Sequence, residues 1–294
     1  MEFGNHTAEI LVEALPYIKK FYGTTIVIKY GGHAMVDKEM REKVISDIVL
    51  MRFVGMNPIL VHGGGPDINY WLEKENYQCK FVDGLRVTDS EVLEIAQMVL
   101  IGKVNQEIVA LLQKHGGNAV GLSGIDGGTI QAKKKLHYDK AHHLVDLGYV
   151  GEITKIRPEL ILNALAKEYI PVISPIGLDD NGGRYNINGD TAAAAVAAAL
   201  KADKFFLLTD TDGILDRNGA RISRVTTEDL DKLEETGVIS GGMIPKAACC
   251  KHAIQNGVQT AHIINGQMQH SLLLELFTDD GVGTMVLGGE NNGK

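Results

Sequence analysis

The sequence predicts an α/β protein built on a largely parallel sheet that is covered on both faces. Three observations carry that prediction. Short apolar, β-branched runs alternate with longer segments of helical periodicity, and the strands hold few polar positions, which is the pattern of parallel strands buried on both sides. Glycine is frequent at 34 of 294 residues, about 12% against a usual ~7%, while proline is scarce at seven. The glycines therefore read as tight turns and close backbone approaches, not as linker. Hydrophobic residues make up 45% and charged residues 22%, a balance that excludes a disordered or fibrous chain and supplies an ample core.

The elements follow in order. Ile10, Leu11, Ala14, Leu15 and Ile18 recur at helical spacing, with Thr7 as the expected cap and Pro16 as an expected kink. This helix precedes the first strand and needs a surface, its own or another subunit's, to bury its stripe. TTIVIKY (24–30) is a strand closed by Gly31-Gly32 and followed by a helix to about Gly55; NPILV (57–61) is a second strand, ending in HGGGP (62–66), where Pro66 suits a first helical turn. Thr88 and Glu91 form a capping box for a helix over Val92 to Ile101, with a further helix to His115. NAVGLSG (118–124) and GTIQAKKK (128–135) read as strands, Arg157 to Lys167 as helix, and YIPVISPIG (169–177) as a buried strand. The alternation then resumes: an alanine helix (189–200), the strand KFFLLTD (204–210), a capped helix from Thr226 to Glu235, a helix from Gly242 to Asn256, the strand QTAHIIN (259–265) and a short helix from His270 to Phe277. A domain boundary is expected near Ile176 to Gly183, where glycine and Asp/Asn cluster.

Charge and cysteine usage narrow the function classes. A net charge of −8, with no basic block longer than Lys133-Lys134-Lys135, disfavours nucleic-acid binding. Cys79, Cys249 and Cys250 are an odd number without CxxC spacing, which predicts reduced thiols and a cytoplasmic setting. Ala192 to Leu200 reads as the longest strongly apolar stretch, too short to span a bilayer.

Three glycine-rich turns follow apolar strands: KYGG (29–32), VHGGGP (61–66) and TDTDGIL (209–215). Ligands of open α/β sheets bind at such strand ends, where turns and helix N-termini offer N–H groups to anions. The chain has no GxxxxGK[ST], no GxGxxG after its first strand, and no GxSxG to accompany HGGG, so P-loop, dinucleotide-binding and esterase readings lack their motifs. Taken singly, Lys29 is a strand-end lysine, Lys246 a solvated helix residue, Asp190 an N-cap, Arg86 a surface arginine, and His62 a residue that structures its turn.

The combination changes these readings. KYGG, HGGG, GLRVTD, NxNxD before an alanine helix, LLTDxDGIL and GGMxxK, in this order, resemble the amino acid kinase family over essentially all of the chain from Thr24 to Leu287. The similarity is to its N-acetyl-L-glutamate-phosphorylating members, and the N-terminal helix and HSLLLELFTDDGVGTM resemble their arginine-sensitive branch. The resemblance implies an αβα sandwich: an oligomerisation helix over 1–23, an N-acetyl-L-glutamate lobe over 24–177, and an ATP lobe over 178–294. It implies that Lys29 and Lys246 stabilise the transferring phosphoryl group, with Asp190 holding both. Gly31, Gly32, Gly64 and Gly65 would supply backbone donors, the first two to the nucleotide and the last two to the substrate. Arg86 and Asn186 would grip the substrate α-carboxylate, with Asn188 nearby, and Asp210, Thr211, Asp212, Gly213, Ile214, Leu215, Val238, Ile239 and Ser240 would line the ATP site. Mg²⁺ is expected on ATP oxygens and waters, with no protein ligand assigned. Tyr17, Lys201, His262, Glu275, Gly281 and Gly283 would surround inhibitory L-arginine in a hexamer built as a trimer of dimers; a PII-type signalling partner is not indicated. Gly189 stands where many members have alanine, and Ile125 where a lysine is common in arginine-sensitive relatives.

The chemistry of these parts agrees with that resemblance. A carboxylate nucleophile has a free pKa of about 4.3 and is already ionised at neutral pH, so no general base is needed. The obstacle is charge repulsion against a triphosphate, and lysines, amides and Mg²⁺ answer it. Other kinases of the same fold, acting on glutamate, aspartate, carbamate or UMP, stand as the alternative, as does a non-catalytic amino-acid sensor.

Overall fold

The computed structural model describes residues 2–35, 37–138 and 142–289. Eight strands form the central sheet: β1 (Thr25–Tyr30), β2 (Asn57–His62), β3 (Ala119–Ser123), β4 (Ile170–Ser174), β5 (Lys204–Thr209), β6 (Arg224–Thr226), β7 (Thr260–Asn265) and β8 (Thr284–Leu287). Their order is β6-β8-β7-β5-β1-β2-β4-β3. Pairing is parallel except between β7 and β8. A smaller sheet joins Arg184–Asn186, Ile176–Leu178, Ile130–Lys134 and Gly151–Ile156 in that order.

The helices are α1 (Glu2–Phe21), α2 (Lys38–Phe53), α3 (Gly65–Lys74), α4 (the continuous run Ser90–Lys114), α5 (Glu159–Ala166), α6 (Gly189–Leu200), α7 (Thr227–Glu235), α8 (Met243–Gln255) and α9 (Ser271–Phe277). Strand periodicity assigns the faces. Ile26, Ile28 and Tyr30 of β1 enter one core with residues of α2, α3 and α4, whereas Val27 enters a second core with the alanines of α6 and with α8. Lys29 shares the parity of Val27, so its side chain leaves the sheet on the α6 side. The small side chains of α6 (Ala192, Ala193, Ala194 and Ala197 are buried) let that helix approach the sheet closely.

Several local expectations are corrected. The first helix begins at Glu2, so Thr7 lies inside it and is not its cap; Pro16 is inside the same helix. Asp89, not Thr88, caps α4: its carboxylate accepts from Val92 N at 3.0 Å, while the buried Thr88 hydroxyl donates to Arg86 O at 2.9 Å. The two expected helices over 92–115 are one, joined by a π-helical segment at Met98–Asn105. Among the described residues this run, and not Ala192–Leu200, is long and apolar enough to cross a membrane by length and composition. Here Val92, Ala96, Val99, Val104, Ile108 and Leu112 of that run are buried in the core, as in a core helix.

Candidate active site

The C-terminal ends of β1 and β2 and the N-terminus of α6 meet almost without side chains between them. A Cβ on Gly31 would come 2.8 Å from Lys29 Nζ and 3.4 Å from Gly63 N; one on Gly63 would come 3.7 Å from Gly31 Cα. The first distance means that only glycine at 31 leaves the ammonium its place. At Gly189 a Cβ would meet His62 O at 3.5 Å and Gly63 Cα at 3.6 Å, ordinary contacts, so an alanine would fit the same packing.

Three expected catalytic residues come together over this junction. Asp190 Oδ1 lies 2.9 Å from Lys29 Nζ, and its Oδ2 lies 3.0 Å from Lys246 Nζ. Lys29 is buried, at 7% exposure. Burial alone would raise the Asp190 carboxyl, but the two ammonium charges and their hydrogen bonds outweigh it and hold it below the ordinary carboxylate range. Asp190 is not the helix cap. Asn188 is, with its Oδ1 accepting from Asp190 N at 2.9 Å and Thr191 N at 3.1 Å, which frees the Asp190 carboxylate for the lysines.

Beside this triad a cleft of about 180 Å³ is lined by Gly63, Gly64, Gly65, Arg86, Asn186 and Asn188. Arg86 Nη2 donates to Gly65 O at 3.2 Å, Nη1 contacts Cys79 Sγ at 2.8 Å, and the guanidinium lies 4.8 Å from the Phe81 ring centroid. Asn186 Nδ2 donates to Thr88 Oγ1 at 3.3 Å. All five expected substrate residues thus border one space, although the Asn188 carbonyl oxygen is engaged in capping.

Asp210 to Leu215 follow β5 on the same edge of the sheet. Asn265 Nδ2 at the end of β7 donates to Asp212 Oδ1 at 2.8 Å, and Ile214 N donates to Thr284 Oγ1 at 2.8 Å. Ile214 and Ile239 are buried in the core, so any contact they offer a ligand is through backbone. Among the described residues no group of three or more His, Cys, Asp and Glu could hold a metal ion. The carboxylate nearest the cleft, Asp190, already has an ammonium on each oxygen.

At the opposite edge, a cavity of about 560 Å³ lies between α1, α9 and the N-terminal ends of β5 and β7. Tyr17, His262, Glu275 and Gly281 line it as expected. Lys201 does not. It sits in the left-handed C-cap of α6, packed along Gly257, because the helix must end there. Lys204 takes the place instead, donating to Thr260 Oγ1 at 3.2 Å and to His262 Nε2 at 3.3 Å. His262 Nδ1 donates to Glu275 Oε1 at 2.7 Å, and Val282 N and Gly283 N donate to Oε2 at 2.6 and 2.9 Å. Gly283 therefore serves the cluster from behind Glu275. Burial lowers the His262 pKa and Glu275 opposes it; burial would raise Glu275, but these donors hold it low. The pair is a neutral imidazole on an ionised carboxylate. Lys204 had a legible signal: it opens β5 in register with Thr260, two positions before Phe206, which pairs with His262.

Comparison with known proteins agrees with this architecture. The model of the amino acid kinase family matches residues 24–265. Acetylglutamate kinase of Carboxydothermus hydrogenoformans is 56% identical over 285 residues, covering 95% of this chain and 97% of that one. Among solved structures, N-acetylglutamate synthase from Neisseria gonorrhoeae complexed with coenzyme A and N-acetyl-glutamate superposes with a TM-score of 0.84 at 28% identity, covering 95% of this chain and 63% of the synthase. The same synthase complexed with coenzyme A and L-arginine gives a TM-score of 0.80 at 26% identity, over 94% and 64% of the two chains. The chain thus spans under two thirds of the synthase's length.

Proposed function

The chain belongs to the amino acid kinase family and groups with its acetylglutamate kinases, and from that premise we propose that it transfers the γ-phosphoryl group of ATP to the γ-carboxylate of N-acetyl-L-glutamate. The observation that carries this reading is the Lys29–Asp190–Lys246 arrangement beside a small cleft whose cationic side chain is Arg86. Two ammonium groups held by one carboxylate leave a positive surplus where equatorial and bridging oxygens would gain charge in the transition state. The nucleophile needs no base, being ionised at neutral pH. Arg86 can take the α-carboxylate as a two-pronged donor, and the glycine turns offer amides. Lys29 and Lys246 neutralise the transferring group, and Asp190 keeps them apart and aimed. When bound, Mg²⁺ supplies further charge neutralisation from the nucleotide's own oxygens. The cleft volume supports a small dicarboxylate over a nucleotide acceptor, since sites for larger ligands run to ~300 Å³ and above.

The regulatory reading has its own support. Ile10, Leu11, Val12 and Leu15 on α1 are 43–68% exposed, an apolar stripe that the chain leaves uncovered and that a second copy's α1 would bury. The 560 Å³ cavity next to α1 presents an ionised Glu275 and a half-buried Lys204, suited to the guanidinium and carboxylate of L-arginine. The proposal is therefore a hexamer of interlaced dimers, inhibited by arginine.

The test is ADP release with N-acetylglutamate, glutamate, aspartate, and bicarbonate plus ammonia as acceptors. Strong preference for N-acetylglutamate is expected, because a pocket for an amide would have to desolvate the ammonium of glutamate without a counter-charge, at several kcal/mol. Comparable kcat/KM for glutamate would overturn the assignment.

A further inference from the structure

The HGGG turn is held from below by two buried side chains that the reaction chemistry does not use. His62 ends β2 and is fully buried; Asn105 lies at the end of the π-helical segment of α4 and is 2% exposed. Asn105 Nδ2 contacts Val172 O at 2.8 Å, Leu122 O at 3.4 Å and His62 Nε2 at 3.1 Å. Carbonyl oxygens only accept, so the group facing Val172 and Leu122 must be the amide nitrogen, and His62 Nε2 must accept from it. That assignment puts the imidazole proton on Nδ1, which lies 2.7 Å from Gly63 O and donates to it. The ring is neutral, consistent with burial pushing its pKa down to about 4.

The peptide that carries Gly63 O also carries Gly64 N–H. In a planar trans peptide the two point in opposite directions. With the carbonyl drawn down onto His62, the Gly64 N–H is turned up, on the side where Gly64 lines the cleft. The preceding peptide is fixed independently by Gly63 N donating to Tyr30 O at 2.8 Å. The π segment supports the same turn a second time: a Cβ on Gly64 would come 2.5 Å from Leu100 Cδ2, so Leu100 occupies that space. Room for Asn105 comes from Gly121, where a Cβ would lie 2.1 Å from Asn105 Oδ1. An ordinary α-helical turn would rotate Asn105 off the strand ends, and π turns are often retained at functional sites.

The geometry points to His62 and Asn105 as positioning residues: a relay from the π segment of α4 through a single imidazole tautomer that aims the Gly64 amide at the acceptor substrate. The role of that amide rests on the reading above; the relay that orients the peptide does not.

Three variants decide the matter, each checked by thermal melting. His62→Leu removes the donor to Gly63 O. His62→Asn keeps a donor at the Nδ1 position, because an asparagine Nδ2 falls near it. Asn105→Leu frees Nε2, so the ring can move its proton away from Nδ1. For His62→Leu, kcat/KM for N-acetylglutamate is expected to fall about 10- to 100-fold, below the roughly 10²- to 10³-fold range for deleting a donor outright because the amide is misaimed and not removed, with the KM for ATP changed less than about twofold. His62→Asn should recover most of that loss, and Asn105→Leu should fall between the two. Crystal structures of the variants should show the Gly63–Gly64 peptide turned in His62→Leu and native in His62→Asn. A folded His62→Leu with a native peptide, or with kcat/KM within about twofold of wild type, overturns the proposal. If the wild type itself releases no ADP with N-acetylglutamate, the substrate assignment falls, and the peptide orientation still decides the relay.

Discussion

The central sheet carries a polar cluster at each end, one reached from β1, α6 and α8 and the other from β5, β7 and α9, and the two are arranged oppositely. At the C-terminal edge, Asp190 divides its oxygens between Lys29 and Lys246, so one carboxylate faces two ammonium groups. Each ammonium has three donors and spends one on Asp190, which leaves charge and hydrogen-bonding capacity for a ligand. At the N-terminal edge, Glu275 is bound by one imidazole and two backbone amides, and a single ammonium, Lys204, stands behind the imidazole. That cluster is balanced in charge, and Glu275 is almost saturated. On the proposed function, the difference separates the transfer site from the arginine site. A surplus cation over glycine-lined backbone favours a transition state richer in negative charge, whereas a balanced cluster can only exchange partners with a ligand of similar charge.

Breaking the surplus should have the largest effect. Lys246→Ala or Lys29→Ala is expected to lower kcat about 10²- to 10³-fold, the range for removing one such stabilising donor, with the KM for N-acetylglutamate changed only a few-fold. Steady-state kinetics on folded variants measure it. An unchanged kcat for Lys29→Ala would make that residue an ordinary strand-end lysine and remove the contrast between the two edges.

The two buried histidines sharpen the same comparison through pH. His62 faces a neutral amide, and burial pushes its pKa from 6.5 down to about 4. Between these values the unfolded chain takes up a proton that the native chain refuses, so stability falls as pH falls from about 6.5 to about 4. Linkage gives about 2 kcal/mol of lost stability between pH 7 and pH 5 from this one ring. His262 is also lowered by burial, but Glu275 opposes the shift, so its share should be smaller. Urea midpoints at the two pH values should show a shallower acid dependence for His62→Asn than for His262→Asn. Equal slopes would mean that Asn105 and Glu275 hold their imidazoles alike.

How much of this was legible follows from where the constraint lies. Strands and the alanine helix were readable because burial on both faces leaves apolar runs that no surface segment matches. Lys29, Asp190 and Lys246 lie far apart in sequence, and only the ordered set of motifs joined them. Caps are less legible: Asp190 and Thr88 are the obvious candidates, but Asn188 and Asp89 do the capping because the favoured residues are committed elsewhere, to two lysines and to Arg86 O. The π segment had no signal in apolar periodicity, since one extra residue in a turn shifts a pattern that was already apolar on several sides. Asn105 was invisible for the same reason, a polar residue whose partners are carbonyls on two other strands and a histidine on a third.

Arg86 tests the cleft beside the surplus. Arg86→Lys keeps the charge but loses the planar fork, so the KM for N-acetylglutamate should rise about tenfold while kcat and the KM for ATP move little. A selective rise in the KM for ATP would place Arg86 on the wrong side of the site.

The smallest effect concerns the balanced edge, where sequence and geometry name different lysines. Lys201 was expected beside arginine, but it is the left-handed C-cap of α6 and turns toward Gly257. Lys204 lines the cavity and reaches His262 and Thr260. If arginine binds there, its carboxylate should compete for the Lys204 ammonium and its guanidinium for Glu275. Lys204→Met, which keeps the length of the stem and removes the charge, should raise the arginine concentration for half-inhibition about fivefold, the worth of roughly one hydrogen bond. Lys201→Met should change it less than about twofold. Neither lysine belongs to the Lys29–Asp190–Lys246 edge, so kcat without arginine should stay near wild type in both. The reverse order of sensitivity would mean that α6 unwinds at its C-terminus when arginine binds, delivering Lys201 to the cavity. Arginine would then act by remodelling the balanced cluster, not by exchanging one partner within it.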